Sequence, residues 1–167
     1  SVDSRCAVGR PSPGKGPIDD RVRERGLEPI TDFRLPKHRR FLANRSDARA
    51  LAKMLQSDPA DILHAHLDNA HGIARRARRL ASLGPHRPLV VRSLYDSEAP
   101  RPTGWFRRLF GDATDGFFVF GDLPARGLMD GFGVPSDRVV KLQGAVDAGR
   151  FRPRARPLEG GGGGPRR

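Results

Sequence analysis

The 167-residue chain has one cysteine, Cys6, one Trp and one Tyr. A single cysteine forbids an intramolecular disulfide and fits a reducing compartment. Long apolar runs are missing. None approaches the ~18 residues of a membrane-spanning helix, and Ser1–Arg10 has no signal-peptide core. The expected location is therefore cytoplasmic. Glutamate is scarce, limited to Glu24, Glu28, Glu98 and Glu159. The phosphate-cradling pattern G-x-x-x-x-G-K-[ST] is absent, which leaves the Pro/Gly stretch Arg10–Gly16 as a surface loop. The chain starts at Ser1 rather than Met and reads as already inside a strand, so a piece of a longer protein is expected.

What is abundant is arginine. It supplies 27 of the 31 Lys and Arg residues, and the net charge is +12. Such a balance suits nucleic acid or an anionic membrane surface. Six of the arginines lie in Arg150–Arg167, and the Arg-, Gly-, Ala- and Pro-rich composition is also what a GC-rich coding sequence writes. A basic nucleic-acid-binding module therefore stays an alternative, and nucleic acid is not the expected partner. Peripheral contact with an anionic membrane is a second expectation, carried by Arg75, Arg76, Arg78 and Arg79 on one helix surface.

Strand and helix signals alternate along the chain. Arg5–Gly9 ends a strand. Ile18–Arg25 is a short helix entered through Pro17 and stopped by Gly26. Glu28–Phe33 is the next strand, followed by the basic loop Leu35–Ala43, a solvated charge run whose Lys37, His38, Arg39 and Arg40 could meet an anionic substrate. Asn44 or Ser46 caps a helix burying Ala48, Leu51, Ala52 and Leu55. A buried strand through Ile62, Leu63 and Ala65 leads to a helix over about Ala70–Leu83 that buries Ile73, Ala77, Leu80 and Ala81. Pro88–Leu94 is a strand, Thr103–Phe110 an amphipathic helix, Gly116–Phe120 an apolar strand, Leu123–Phe132 a helix despite Gly127, and Arg138–Leu142 the last strand. About six strands and five helices in alternation predict a Rossmann-like α/β fold: a parallel sheet with helices on both faces and all strand tips on one edge. Residues 1–147 read as one domain; 148–167 read as linker and a Gly/Arg-rich tail containing the five-glycine run Gly160–Gly164.

Polar chemistry concentrates where the central strand ends, in D-I-L-H-A-H-L-D-N-A-H-G from Asp61 to Gly72. Ligands of open α/β sheets sit at such strand ends. His66, Asp68, Asn69 and His71 are the candidates there, and Tyr95, Asp96 and Glu98 end the following strand. His64 and His66 share one side of the strand, since side chains alternate, and His64, deeper in, is expected to be structural. A metal-dependent hydrolase is one alternative. H-x-H-x-D-x-x-H is similar to the H-x-H-x-D-H of metallo-β-lactamase-type hydrolases, with Asn69 in place of the last His.

The ordered set of segments resembles something else. D-I-L-H-A-H before a helix, P-L-V-V-R-S-L-Y-D, and D-G-F-F-V-F-G-D-L-P-A-R-G-L-M-D-G-F-G-V-P-S-D-R-V-V-K-L-Q-G-A-V-D-A-G-R-F-R-P resemble successive pieces of the N-terminal domain of family-4 glycosyltransferases of the GT-B fold, from about Cys6 to Pro153. The resemblance implies the incomplete, acceptor-side half of a retaining enzyme. That enzyme moves a sugar from a nucleotide-sugar, its donor substrate, to an acceptor, with no required metal or other cofactor. It implies a cleft shared with a C-terminal donor domain that lies beyond Pro153, so this polypeptide alone is expected to be inactive. No two of the four glutamates have the spacing of the family's pair, and Tyr95 stands where the family's T-x-H-D carries histidine. The seven candidates are then expected to hydrogen-bond sugar hydroxyls rather than to act as covalent catalysts.

Overall fold

The computed structural model describes residues 3–9, 18–36, 40–81, 84, 87–111, 113–144 and 149. The tail, Gly149 apart, the Pro/Gly loop, His86 and the basic residues Lys37, His38 and Arg39 lie outside the described residues. The elements in order are β1 (Cys6–Ala7), α1 (Ile18–Arg23), β2 (Pro29–Ile30), α2 (Phe41–Ser57), β3 (Ile62–Ala65), α3 (Asp68–Ala81), β4 (Leu89–Leu94), α4 (Gly104–Phe110), β5 (Gly116–Val119), α5 (Asp122–Phe132) and, after a 3-10 turn at Ser136–Arg138, β6 (Val139–Lys141). All strand pairs are parallel. They form a two-stranded sheet β1-β2 and a four-stranded sheet β3-β4-β5-β6. The fold is Rossmann-like α/β, and in each sheet the carboxyl ends of the strands share one edge.

Register explains which residues form the core. Ala65 lies opposite Arg92 and Leu94 opposite Val119, so Leu63, Ala65, Val90, Arg92, Leu94, Phe117 and Val119 point to one face. Onto that face α2 and α3 pack through Ala52, Leu55, Ala77 and Ala81 beside Leu63. Farther along, Leu109 and Phe110 of α4 and Leu128 of α5 cover Leu94, Phe117 and Val119. On the alternate face Ile62, Leu89 and Val140 are 56%, 51% and 46% exposed.

Local rules account for the boundaries. Thr103 caps α4 by accepting a bond from the Phe106 amide. At the end of α5, Gly133 adopts φ 68°, and the amides of Gly133 and Val134 return to Met129 and Leu128, the left-handed helix stop that glycine supplies at least cost.

Several expectations change in detail. Helix α2 starts at Phe41, not at Asn44 or Ser46, and Arg40 precedes it without a side-chain cap. Asn44 is inside the helix and bonds to Asn69 instead. Leu80 is 39% exposed, while Arg78, expected on the solvated side, is buried with its guanidinium on Asp115, the Pro88 carbonyl and the Ala113 carbonyl. A paired guanidinium can take a core position where an unpaired one could not. β3 is not fully buried, because it ends the four-stranded sheet and its Ile62–His64 side faces outward.

Gly127 is the residue that does not belong in a helix by propensity, and packing explains it. A Cβ there would lie 2.6 Å from Ala99 Cβ, 3.0 Å from Pro100 Cδ and 3.1 Å from Ala99 Cα. The glycine is the seat on which the loop after β4 rests. Gly127→Ala should gain up to ~1 kcal/mol of helix propensity yet lose about 1–3 kcal/mol to overpacking. The net result should be a lower midpoint in thermal denaturation; a raised midpoint would show that the loop moves aside freely.

Candidate functional site

Two of the predicted clusters meet. β3 and β4 are neighbours, and at their tips His66 Nδ1 lies 2.7 Å from the Tyr95 hydroxyl. The His64 and His66 rings touch in a tilted arrangement, with centroids 4.3 Å apart and planes 36° from parallel. The His66 ring stacks on Tyr95 at 5.9 Å and Tyr95 on Phe120 at 5.0 Å, with interplanar angles of 19° and 16°. The result is a row of flat rings across the tips of three adjacent strands, with His66, Tyr95 and Phe120 all exposed. His64 is exposed too, and its Nε2 lies 2.8 Å from Ser93 Oγ, so the strand's histidines both face outward and His64 is not a core residue.

Asp96 and Glu98 continue from Tyr95 along the loop and line a cavity of about 290 Å³ with Leu94, Ser97, Ala99 and Pro100. Two of its lining residues, Ala99 and Pro100, are the ones that rest against Gly127 of α5.

Asp68, Asn69 and His71 sit in the first turn of α3 and face different ways. Asp68, half exposed, gives its carboxylate to the buried Arg92 guanidinium at 2.9 Å. As the first helical residue it also suits the positive end of the helix dipole. Asn69 is buried; it donates to the Pro36 carbonyl at 2.7 Å and exchanges amide bonds with Asn44. It thus helps hold the Leu35–Pro36 turn. On that turn Asp47, itself buried, accepts the amides of Arg34 and Leu35 at 3.1 and 2.9 Å, fixing Leu35 in the left-handed region at φ 36°.

His71 is fully enclosed. Its ring stacks on Phe110, and Nε2 lies 2.8 Å from Thr114 Oγ1. The Thr114 hydroxyl donates its one proton to the Leu109 carbonyl at 2.6 Å. It must therefore accept from Nε2–H, and the lone pair of the neutral ring sits on Nδ1. The H-x-H-x-D-x-x-H residues consequently do not converge: His71 is sealed in the core and Asp68 is bound to Arg92. Among the described residues no group of three or more His, Cys, Asp or Glu side chains is placed to hold a metal ion.

Arg92 sets the electrostatics. Burial first, then the charges of His66 and Arg92, hold His64 below its ordinary pKa. Burial and then Arg92 do the same to His66. For His71 burial, followed by Arg92, Arg75 and Arg78, lowers the value to about 3. The site is thus built of neutral imidazoles at neutral pH, able to donate on one nitrogen and accept on the other. Sequence reasoning passed over Arg92, Asp115, Asp47 and Phe120. The visible signal for Arg92 was a lone charge inside the apolar strand V-V-R-S-L, where a guanidinium needs a partner.

A family model described as Glycosyltransferase Family 4 matches residues 8–150. No curated protein and no solved structure matches the chain.

Acid should unfold the chain through His71. Its folded pKa of about 3 lies below the ordinary imidazole value of 6.5, so the unfolded state binds the proton more readily. The stability this group contributes is complete above about pH 6.5. It is lost as pH falls from there toward 3, at up to ~1.4 kcal/mol per pH unit. Urea denaturation at stepped pH should show that slope, and His71→Leu, though less stable at neutral pH, should flatten it; an unchanged slope would assign the acid sensitivity elsewhere. Separately, Arg92→Met should raise the NMR titration midpoints of His64 and His66, since it removes a repelling charge from both; midpoints that stay put would remove Arg92 from its electrostatic role.

Proposed function

The chain belongs to Glycosyltransferase Family 4, and from that membership we propose that the joined tips of β3 and β4 form the sugar-facing floor of a transfer cleft. Glycosyl transfer is the general activity of such a domain. The finer reading is that the parent enzyme moves a sugar from a nucleotide-sugar to an acceptor with retention. The donor nucleotide would be held by a second domain, and no metal or other cofactor would be needed. Most of the rate would then come from positioning and from electrostatic support of the departing diphosphate.

The observation that carries this reading is the 2.7 Å contact between His66 and Tyr95. It joins two strand tips into one surface with the chemistry a sugar requires. Flat rings of His66, Tyr95 and Phe120 meet the apolar C–H face of a pyranose. The Tyr95 hydroxyl and neutral imidazole edges bond its hydroxyls, and the carboxylates of Asp96 and Glu98 accept from others across the adjoining cavity. Within the seven candidates this gives direct sugar contact to His66, Tyr95, Asp96 and Glu98. Asp68 supports the floor by neutralising Arg92. Asn69 shapes the neighbouring turn, and His71 holds α3 on α4.

Monosaccharide titration followed by NMR tests this assignment. The His66 ring and Tyr95 resonances should move on addition of a hexose, and Tyr95→Phe, which loses one hydrogen bond of ~1 kcal/mol, should weaken binding by about fivefold. Shifts confined to other parts of the chain would overturn the assignment. Incubated with nucleotide-sugar and acceptor, the purified polypeptide should release no product; turnover by it alone would refute the division of labour between two domains.

A further inference from the structure

A second cavity, of about 970 Å³, lies along the outer surface of α3, away from the ring row. Its floor is α3, which offers Arg75, Arg76, Arg78 and Arg79. One wall is the first turn of α2, with Phe41, Asn44 and Arg45; the other is α4, with Trp105, Arg107 and Arg108. Arg87, from the loop before β4, lines it too. Eight arginines line this groove, and no Asp or Glu appears among its described lining residues. Asp115, which is not among the lining residues, compensates Arg78. The mutual repulsion is felt within the groove: burial first, then Arg79, Arg78 and Arg108, push the Arg75 guanidinium below its ordinary pKa. A fold does not gain stability from gathering like charges in this way, and the arrangement becomes favourable once an anion enters.

The rim adds an independent feature. Phe41 and Leu42, at the start of α2, are 70% and 79% exposed. They are the most exposed of the large apolar residues described; Phe41 lines the cationic cavity and Leu42 is its neighbour in the chain. We propose that this groove is the docking surface for an anionic phospholipid bilayer: headgroup phosphates are taken by the Arg75, Arg79 and Arg108 guanidinium groups while Phe41 and Leu42 enter the acyl boundary. The pairing of cationic groove and apolar rim is what an interfacial binder presents. Of the two rim residues only Phe41 has a flat face to stack on a base; the more exposed Leu42 has neither that nor a charge for a phosphate backbone, and an adjacent apolar pair of this kind suits the acyl boundary. Among the described residues no helix is long and apolar enough to cross a membrane, so the contact is one of the surface.

Vesicle co-sedimentation of the full chain tests the proposal. Vesicles mixing phosphatidylglycerol with phosphatidylcholine should bind the chain, and vesicles of phosphatidylcholine alone should not. Arg75→Gln/Arg79→Gln/Arg108→Gln should lower the partition coefficient by roughly a hundredfold, at about fivefold per basic residue. Phe41→Ser/Leu42→Ser, which leaves every charge in place and alters only exposed side chains, should also weaken binding at least severalfold. A thermal melt of each variant separates lost binding from lost fold. Three results would overturn the proposal: equal binding to both vesicle types; vesicle binding that survives the arginine replacement; or inorganic phosphate or an oligonucleotide duplex that binds the groove and competes off the vesicles, which would name a soluble anion or nucleic acid as the occupant.

Discussion

A single buried guanidinium governs the working edge of this molecule. Arg92 projects from the middle of β4 to the helical face and is 5% exposed. Taking such a charge out of water costs several kcal/mol unless a partner and hydrogen bonds compensate. Burial does press its pKa downward, against the raising influence of Asp68, Asp96 and Tyr95. The fold answers by bringing the first residue of α3 to it, at 2.9 Å from Asp68, with the Ala65 carbonyl at 3.5 Å. Once that pair forms, the entry of α3, the end of β3 and the middle of β4 are fixed to one another.

The other end of α3 repeats the device with the order reversed. There the arginine is on the helix and the aspartate at the start of β5: Arg78 meets Asp115, whose carboxylate also accepts the Val90 amide at 2.7 Å. Two arginine–aspartate pairs, one near each end, thus hold a helix whose apolar contacts are mostly alanines, namely Ala74, Ala77 and Ala81 beside Ile73. Small residues bring the helix close but bury little area each, so polar attachment supplies the placement that bulk does not. The rigid base so obtained is what a ring row spanning three strand tips requires. It also leaves the remaining arginines of α3 pointing outward together, which is the origin of the cationic groove.

The alternation of strands and helices was legible because it rests on local signals: Pro and Gly punctuation, short β-rich runs and helical spacing of small apolar residues. The meeting of His66 with Tyr95 followed from the same topology, since two parallel strands joined by a helix present their tips side by side. What could not be read was the use made of polar residues inside the core. Arg78 and Arg79 are neighbours of identical type and both border the groove, yet Arg78 is buried against Asp115 while Arg79 is exposed; only the contact with Asp115, thirty-seven residues away and brought close by the fold, distinguishes them. His71 shares a motif with His66 by spacing but sits inside the first turns of a helix, which rotates it to the core. Gly127 looked like a flaw in a helix because the Ala99–Pro100 segment it accommodates is distant in sequence.

The place of β3 at the end of its sheet carries a consequence for how the molecule behaves in bulk. A parallel strand at a rim offers a ladder to any similar strand, and beside it the exposed Ile62 and Leu89 side chains, register partners on β3 and β4, add apolar surface. Two copies could zip together along that margin. What keeps them apart in dilute buffer is the excess of twelve positive charges, a repulsion that reaches only ~10 Å at 0.1 M ionic strength and ~3 Å at 1 M. Colloidal behaviour is therefore tied to ionic strength through an edge and not through the core: concentrated salt would cloud the solution while each molecule remained folded.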